Sequence, residues 1–505
     1  MNVFDKFISY LSPKSAYERM VYRETIKAFQ DSERGYDAGS DSRLNANWRV
    51  VNSNAETLNR AYRDVIRARS QDLERNSDIL ESILLAFERN VVGTGFKLQA
   101  KTDNEELNKQ IEVLFKKWSR PKYCDVTQQQ SFVEICQMLV RRRRVDGAAF
   151  VVKRYQENDF IPFSLQVYEV EDLDITRVSS QNRIIDGIEY NEYNRPVAYY
   201  IKKYDLFGNW TGNSERIPSE DVIFMYRKKR PSQLREMSEL STTLPRVRDM
   251  NQYMEAVSVK ERIAALLAVM IKRFIPNNGN TYGRGVVNND KSIEYQGKKL
   301  TPGMIMELNP GDDVAVVTPP SSGASAADFI RLQQRLTGSA QGISYEVAAR
   351  DMSQVNYSSA RQGLLEDRNT YEMEQQFFEE HFLTEVYEEF IEAAVLSGVL
   401  KLNVNEFYRN KESYLKHKWI APGMKWIDPK KEADANKVML DNNLTTLEHV
   451  AASTGQDWRE IIDQRAIEIE YAKAKGVIMN AESETNITNN EDEEDETNVS
   501  TELND

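Results

Sequence analysis

Only two cysteines and three histidines occur among the 505 residues. Cys124 falls in a loop and Cys136 on an apolar helix face, so no disulfide framework is available, and such usage suits a reducing compartment. His381, His417 and His449 lie on three separate segments. None has a second His, a Cys or a paired acid at ligand spacing, so no metal centre is expected. The HExxH, GxSxG and GxxxxGK[ST] patterns are all missing. Gly93-Thr94-Gly95 follows a helix rather than a strand and lacks a third glycine, so it reads as a helix end and turn. No catalytic constellation can be assembled, which points away from an enzyme and from any cofactor. Long apolar runs are missing too. The most apolar stretch, Ile263 to Ile271, is nine residues between Arg262 and Lys272, against roughly 20 to span a bilayer. The first residues, MNVFDKFISYLSPKS, lack a basic region followed by an apolar one, so no secretion signal is expected. The chain reads as soluble and intracellular, with no membrane partner.

What charge there is lies unevenly. The formal net charge is −13, but residues 481–505 hold ten acids and no Lys or Arg. Without them, 66 basic residues face 69 acidic ones. A body so near neutrality has no bulk attraction for nucleic acid. The acidic end, rich also in Asn and Thr, cannot bury enough apolar area to fold and is expected to be disordered. Arg141, Arg142, Arg143 and Arg144 form the one strong basic run. It reads either as a set of phosphate or inter-subunit contacts, or as the solvated end of a helix where cations suit the macrodipole.

The periodicity is helical first. Ser53 with Glu56 reads as a capping box opening a helix to about Ser70. Ser77 caps a second helix, with Ile79, Ile83, Leu84 and Phe87 inward, ended by Gly93. Leu107, Ile111, Leu114 and Trp118 line a third, and Thr127 with Gln130 caps a fourth. The period then changes to two. Residues 148–155, 164–170, 183–191 and 196–204 read as strands, with a turn at 192–195 and a short strand within 217–226. Helices followed by a compact antiparallel set indicate an α+β fold. A helix over about 245–274 comes next, on the order of 45 Å long at 1.5 Å per residue. A Gly/Asn-rich insert follows, with strand-like pieces at 304–308 and 313–319. A further helix runs from Ala326 to about Gln341.

The stretch GISYEVAARDMSQVNYSSARQGLLEDRNTY, 342–371, organises the rest. A short helical turn leads into a polar segment, Asp351 to Tyr357, and then a long helix opens with Ser358 or Ser359 as its cap. Leu364, Leu365, Tyr371, Phe377, Phe378, Phe382, Val386 and Phe390 form its apolar face. A polar loop held between two helices is a place to touch something passing by. Further helices are expected after WIDPKKEADA, from Thr446 and from Asp457 to Lys475.

Several blocks resemble the lambda-type portal protein family of tailed phages. They are Trp48 with ARSQDLERNSDILESI and NVVGTGFKLQA, RVDGAAFV (144–151), DGIEYNEYNRPVAYYI (186–201) and IPSEDVIFMYRKKRPSQLREMS (217–238), then TPGMIMELNPGDDV, GISYEVAARDMSQVNYSSAR and WIDPKKEADA. Each block alone is weak; their order over most of the chain is specific. The family often has histidine where Phe224 stands, and glycines where Ser232 and Glu236 stand, which bears on local turns there.

The resemblance implies a portal-type fold. It has a helix-rich wing with antiparallel strands (1–245 and 364–425), a helical stem (246–275 and 326–340) and a small α/β clip (276–325). A tunnel loop (341–363), a helical crown (426–480) and the acidic tail complete it. It implies a homo-oligomeric ring, usually a dodecamer, at one capsid vertex of the virion, assembled in the host cytoplasm. Double-stranded DNA would pass its channel without sequence preference during packaging and ejection. The terminase large subunit, head-completion or adaptor proteins, and major capsid and scaffold proteins would be its partners. Arg350, Asp351, Gln354, Asn356 and Tyr357 are then the candidate DNA-facing residues of the tunnel loop. Two other readings stay open: an internal scaffold, which would need sustained heptads, and a packaging or maturation enzyme.

Overall fold

The computed structural model describes residues 13–32, 50–156, 159–266, 270–271, 306–307, 323–353, 356–423 and 428–477. The turn-rich segment at 36–47, most of the insert at 276–325, the strand-like 313–319, Gln354 and the acidic tail lie outside the described residues. The chain divides into two units, 1–58 and 59–505. In the first, helix Pro13–Ser32 carries exposed tyrosines, Tyr17 and Tyr22.

In the second unit the strands, in chain order, are β1 (Lys97–Ala100), β2 (Ala148–Arg154), β3 (Ser164–Tyr168), β4 (Ile184–Ile185), β5 (Ile188–Tyr190) and β6 (Pro196–Tyr204). They continue with β7 (Trp210–Pro218), β8 (Val222–Tyr226), β9 (Met270–Ile271), β10 (Met306–Glu307) and β11 (His417–Ile420). Two small antiparallel sheets, β3-β2-β8 and β4-β5-β6-β7, form the strand block. Phe150, Tyr199, Ile188 and Val222 bring them into one apolar cluster, with Phe224 packed against it. Phe224 meets Phe150 edge-on at 5.5 Å. The ribbon β1-β11 joins segments some three hundred residues apart, and β9-β10 pairs in parallel.

The helices supply the main core. Phe87, Ile111, Phe115, Trp118, Phe132, Phe378, Phe382 and Phe390 are buried in one cluster. Trp118 stacks on Phe163 and donates its indole N–H to the Phe163 carbonyl at 2.8 Å. The helix beginning at Tyr357 runs to Phe378, passes through a π-turn at Glu379–Leu383 and continues as Thr384–Leu396. A second π-turn, Glu88–Val92, extends the helix that Ser77 caps, up to Gly93.

Several local expectations are corrected. The fourth helix, Phe132–Asp146, is capped by Ser131 and Glu134 in a reciprocal box, while Asp125 receives the Thr127, Gln129 and Gln130 amides. On the third helix Phe115 is buried with Leu107, Ile111 and Trp118, and Leu114 packs half-buried against the same core. The helix near residue 55 ends at Arg60 and a new one, Arg63–Asn76, begins after two turn residues. The strand at 183–191 is a hairpin. Asp186 and Gly187 both take positive φ, which suits a primed two-residue turn. The 245–274 helix is described as Leu244–Leu266, and Met270–Ile271 is already extended. Strand β7 was hidden because its sequence, WTGNSERIP, is polar and mostly exposed.

Candidate functional site: a polar loop and the arginine helix at its base

Helix Gly323–Ala340 ends at Gln341-Gly342, where Gly342 has φ +73°. A Cβ there would press the Thr370 side chain at 3.2 Å. The chain then turns into helix Tyr345–Ala349, pinned from below by buried Ile343 and Ala348. Asp367, on the long helix, accepts both the Ser344 amide and the Ser344 hydroxyl, each at 2.6 Å. Thr370 donates its hydroxyl to the Gly342 carbonyl at 2.7 Å. These bonds tie the start of the loop to the helix that leaves it. Burial raises the Asp367 carboxyl above the ordinary range, although the two Ser344 bonds oppose this.

Arg350 closes the short helix in the left-handed region, φ +54°. Its side chain is exposed, as are Met352, Ser353 and Asn356. Asp351 is engaged within the loop. It accepts the Ser353 amide at 3.0 Å and the Tyr345 hydroxyl at 2.8 Å. The Ser353 and Tyr345 bonds hold its carboxyl down to about 2. The Asn356 carboxamide, rather than Ser358 or Ser359, caps the long helix, accepting the Ser359 amide at 2.8 Å. Tyr357 is the first residue of that helix. Arg350 and Asp351 thus follow directly on the short helix, and Asn356 opens the long one. Gln354 lies outside the described residues. The first turns of the long helix differ from expectation: Leu364 and Leu365 are exposed, whereas Tyr371, Phe378, Phe382, Val386 and Phe390 are buried.

The arginine run sits inside the protein. Arg143 and Arg144 are 2% and 3% exposed. Arg143 pairs with Glu239 at 2.6 Å and with Glu374. Arg144 pairs with the same two acids at 3.5 and 3.3 Å and stacks over the Phe87 ring. Arg141 meets Glu74, Glu81 and Glu88, and Arg142 meets Glu74 and Asp146. Burial opposes ionisation of Glu239, yet Arg143 and Arg144 hold its carboxyl below the usual range. Burial brings the Arg144 guanidinium down to about 10. For Arg143 and Arg144 this corrects both sequence readings. Arg143 and Arg144 are withdrawn from phosphate, from a second chain and from solvent, because this chain supplies their acids. Arg141 and Arg142 spend their guanidiniums in the same way. The helix can end so abruptly because Gly147, φ +97°, lets the backbone at Met237 pass where a Cβ would stand 2.5 Å away.

The two regions touch. Arg144 donates to the Gln341 side-chain oxygen at 3.2 Å, and Gln341 donates to the Glu239 carbonyl at 3.3 Å. The loop therefore rises from the arginine cluster itself. Sequence reasoning missed Gln341, Ser344, Asp367 and Thr370; the GIS turn before the short helix was the available signal. It missed Glu374 for lack of any local one. Nearby, Glu236, one of the positions departing from the family pattern, is fully buried and receives Arg67 at 3.1 Å and Arg235 at 2.9 Å. Among the described residues, no group of three or more His, Cys, Asp or Glu is placed to hold a metal. Burial pushes the Cys124 thiol up to about 12 and that of Cys136 upward as well, which leaves neither reactive. No described helix is long and apolar enough to cross a membrane.

Comparison with known proteins bears on these elements directly. The family model described as phage portal protein, lambda family, matches residues 41–375, a span holding both the loop and the arginine helix. A probable portal protein of Halomonas phage phiHAP-1 is 26% identical over 500 residues, covering 92% of this chain and 93% of that protein. Portal protein B of Escherichia phage lambda is 20% identical over 451 residues, covering 81% and 84%. A chain from the neck of a native gene transfer agent particle, computed with C12 symmetry, aligns over 78% of this chain and 98% of its own. Its TM-score of 0.36 at 14% identity is too low to bear on assembly. The chain belongs to the lambda family of phage portal proteins.

Proposed function

We propose that this portal protein forms a closed ring, a dodecamer, at one capsid vertex, and that double-stranded DNA passes through it during packaging and ejection. Its role is structural rather than catalytic. The observation that carries the reading is the polar stretch that follows the short helix, held at its base by Ser344–Asp367 and Thr370–Gly342, with Arg350, Ser353 and Asn356 exposed. A conduit must let the duplex slide. Each phosphate neutralised by a cationic lining would add salt-dependent affinity and slow transit. Here the strongest basic run is spent internally, and the bend offers Arg350 beside the ionised Asp351.

Ring closure is supported by apolar side chains left outside on the long helices. Leu332 and Leu336 lie one turn apart on Gly323–Ala340, and Leu364 and Leu365 sit on the helix after the bend. Heterologous interfaces repeated about an axis would cover both sets. In this reading 246–275 and 326–340 are the stem, 276–325 the clip that meets the terminase large subunit and then the adaptor proteins, and 341–363 the tunnel loop. The segments 1–245 and 364–425 are the wing, 426–480 the crown, and major capsid and scaffold proteins are further partners. Negative-stain imaging with native mass spectrometry of the full-length protein tests this. A ring with an axial hole near duplex width is expected. A rod or filament would exclude the conduit and favour a scaffold.

A further inference from the structure

The helix Glu105–Trp118 is charged differently at its two ends. Glu105 and Glu106 stand in its first turn and Lys116 and Lys117 in its last, an order that suits the macrodipole. Two more cations follow where that helix has already stopped: Arg120, and Lys122 in the short turn Pro121–Cys124. All four are exposed. The Lys117 and Lys122 ammonium groups lie over the same Tyr123 ring, at 5.7 and 5.4 Å, and Lys117 also covers the Phe160 ring at 4.0 Å. Four cations thus stand within seven residues, two of them on one ring.

Among the described residues none of the four makes an ion pair. The acids nearest to them in the chain are used elsewhere. Glu112 accepts the Ala100 amide at 3.0 Å. Asp125 accepts the Thr127, Gln129 and Gln130 amides. Glu134 accepts the Ser131 amide at 2.7 Å and the Ser131 hydroxyl at 2.6 Å. Another basic stretch, Arg227 to Arg230, differs in this respect, because Arg227 meets Glu374 at 3.3 Å and Lys229 lies in the field of Glu239.

The chain carries a complement to this patch. Glu491 to Glu496 is an unbroken run of six acids, and no Lys or Arg follows Lys475. Helix Trp458–Ala474 leads towards that run, and its first turn meets the first turn of Glu105–Trp118 through Arg459 and Glu105 at 3.6 Å. From that contact the two helices, of 17 and 14 residues, run about 25 and 21 Å. The 19 residues from Ile478 to Glu496 extend to roughly 65 Å, more than both lengths together, so the acids can reach the patch. A tethered segment also acts at an effective concentration in the millimolar range, which a separate polyanion must match. We propose that the Glu491–Glu496 run seats on Lys116, Lys117, Arg120 and Lys122 of the same chain. The contact is made of exposed charges, so it is weak, salt-sensitive and reversible. It covers the patch rather than bracing the fold, and another polyanion can displace it.

The test is carbodiimide coupling of the full-length protein, read by peptide mass spectrometry, because that reagent joins a carboxylate to an amine only where they touch. At low salt, links from Glu491–Glu496 to Lys116, Lys117 and Lys122 are expected several-fold above links from the same acids to the exposed Lys228 and Lys229. They should fall several-fold at 1 M salt, where the screening length is about 3 Å. The double variant Lys116→Gln with Arg120→Gln, at two exposed positions without ion pairs, should lower the links to Lys117 and Lys122 in the same way. Equal links to Lys228 and Lys229 would mean indiscriminate contact and overturn the proposal. Links that cross between isotope-labelled and unlabelled chains would give the tail to a neighbouring copy and overturn the same-chain seat. If no tail links form and a short duplex binds the parent more tightly than the double variant, the patch is a nucleic-acid surface and the tail is not its occupant. If neither occurs, the patch is only solvated and the proposal falls as well.

Discussion

Two clusters of ion pairs in this protein use the same chemistry at opposite depths. Arg143 and Arg144 meet Glu239 and Glu374 in the interior, while Lys101 and Lys418 meet Glu448 at the surface. The inner cluster's charges lie out of water, so each partner is needed to neutralise the other. The outer one keeps its solvent, and its pairs add little beyond orientation. Depth, rather than the number of pairs, decides which cluster fixes the fold and which lets a segment move.

The sharpest way to break that contrast is inside. Glu374→Ala leaves Arg143, Arg144 and Arg227 facing one acid fewer in a buried place. A loss of about 3–5 kcal/mol is expected from removing one partner of a buried pair, read as a lower denaturation midpoint in urea. A loss below about 1 kcal/mol would show that the cluster is better hydrated than its burial indicates.

At the surface, Glu448→Gln should cost about 0.5–1 kcal/mol. It should appear as faster proteolysis of the helices from Pro429 to Ala474 with the midpoint for the body unchanged. Raised salt should mimic it, since exposed pairs are screened. Acid should do the same. The Lys101 and Lys418 bonds hold the Glu448 carboxyl at about 2, below its ordinary 4.5. Its contribution is therefore complete above pH 4.5 and is lost as the pH falls from there through 2. Proteolysis that is flat across that window in the parent would remove Glu448 as the attachment point.

The smallest effect has the opposite sign. Arg350→Gly relieves a side-chain-bearing residue at φ +54°, and a gain of about 0.5–1 kcal/mol is expected from the left-handed region. An unchanged or lower midpoint would mean that the arginine side chain itself steadies the bend.

Much of this was legible because its cause was local. The caps at Ser77, Thr446 and Asp457 each accept a backbone amide two or three residues ahead, and spacing alone finds them. Choice among adjacent candidates was less secure: Asn356 caps where Ser358 or Ser359 was expected, and Ser131 where Thr127 was. The exposed loop residues were readable for the same local reason, as a polar stretch between two helical patterns. The fate of Arg141–Arg144 was not, because apart from Asp146 their acids stand at 74, 81, 88, 239 and 374 and only the tertiary fold brings those near. The ribbon β1-β11 escaped for that reason too, and β7 because an edge strand facing water has no apolar alternation to show.

The π-turn at Glu379–Leu383 matters for how such a helix can change over time. One residue more than the regular repeat turns everything downstream by about 100° relative to everything upstream. The part bearing Leu364 and Leu365 is therefore phased independently of the part that delivers Phe382, Val386 and Phe390 to the core. A single-residue deletion inside the turn would restore the regular repeat with both halves still in phase, whereas a deletion in the regular helix before it would rotate Leu364 and Leu365 by about 100° against those aromatics. The bulge acts as a joint at which one extra residue is taken up without moving the core.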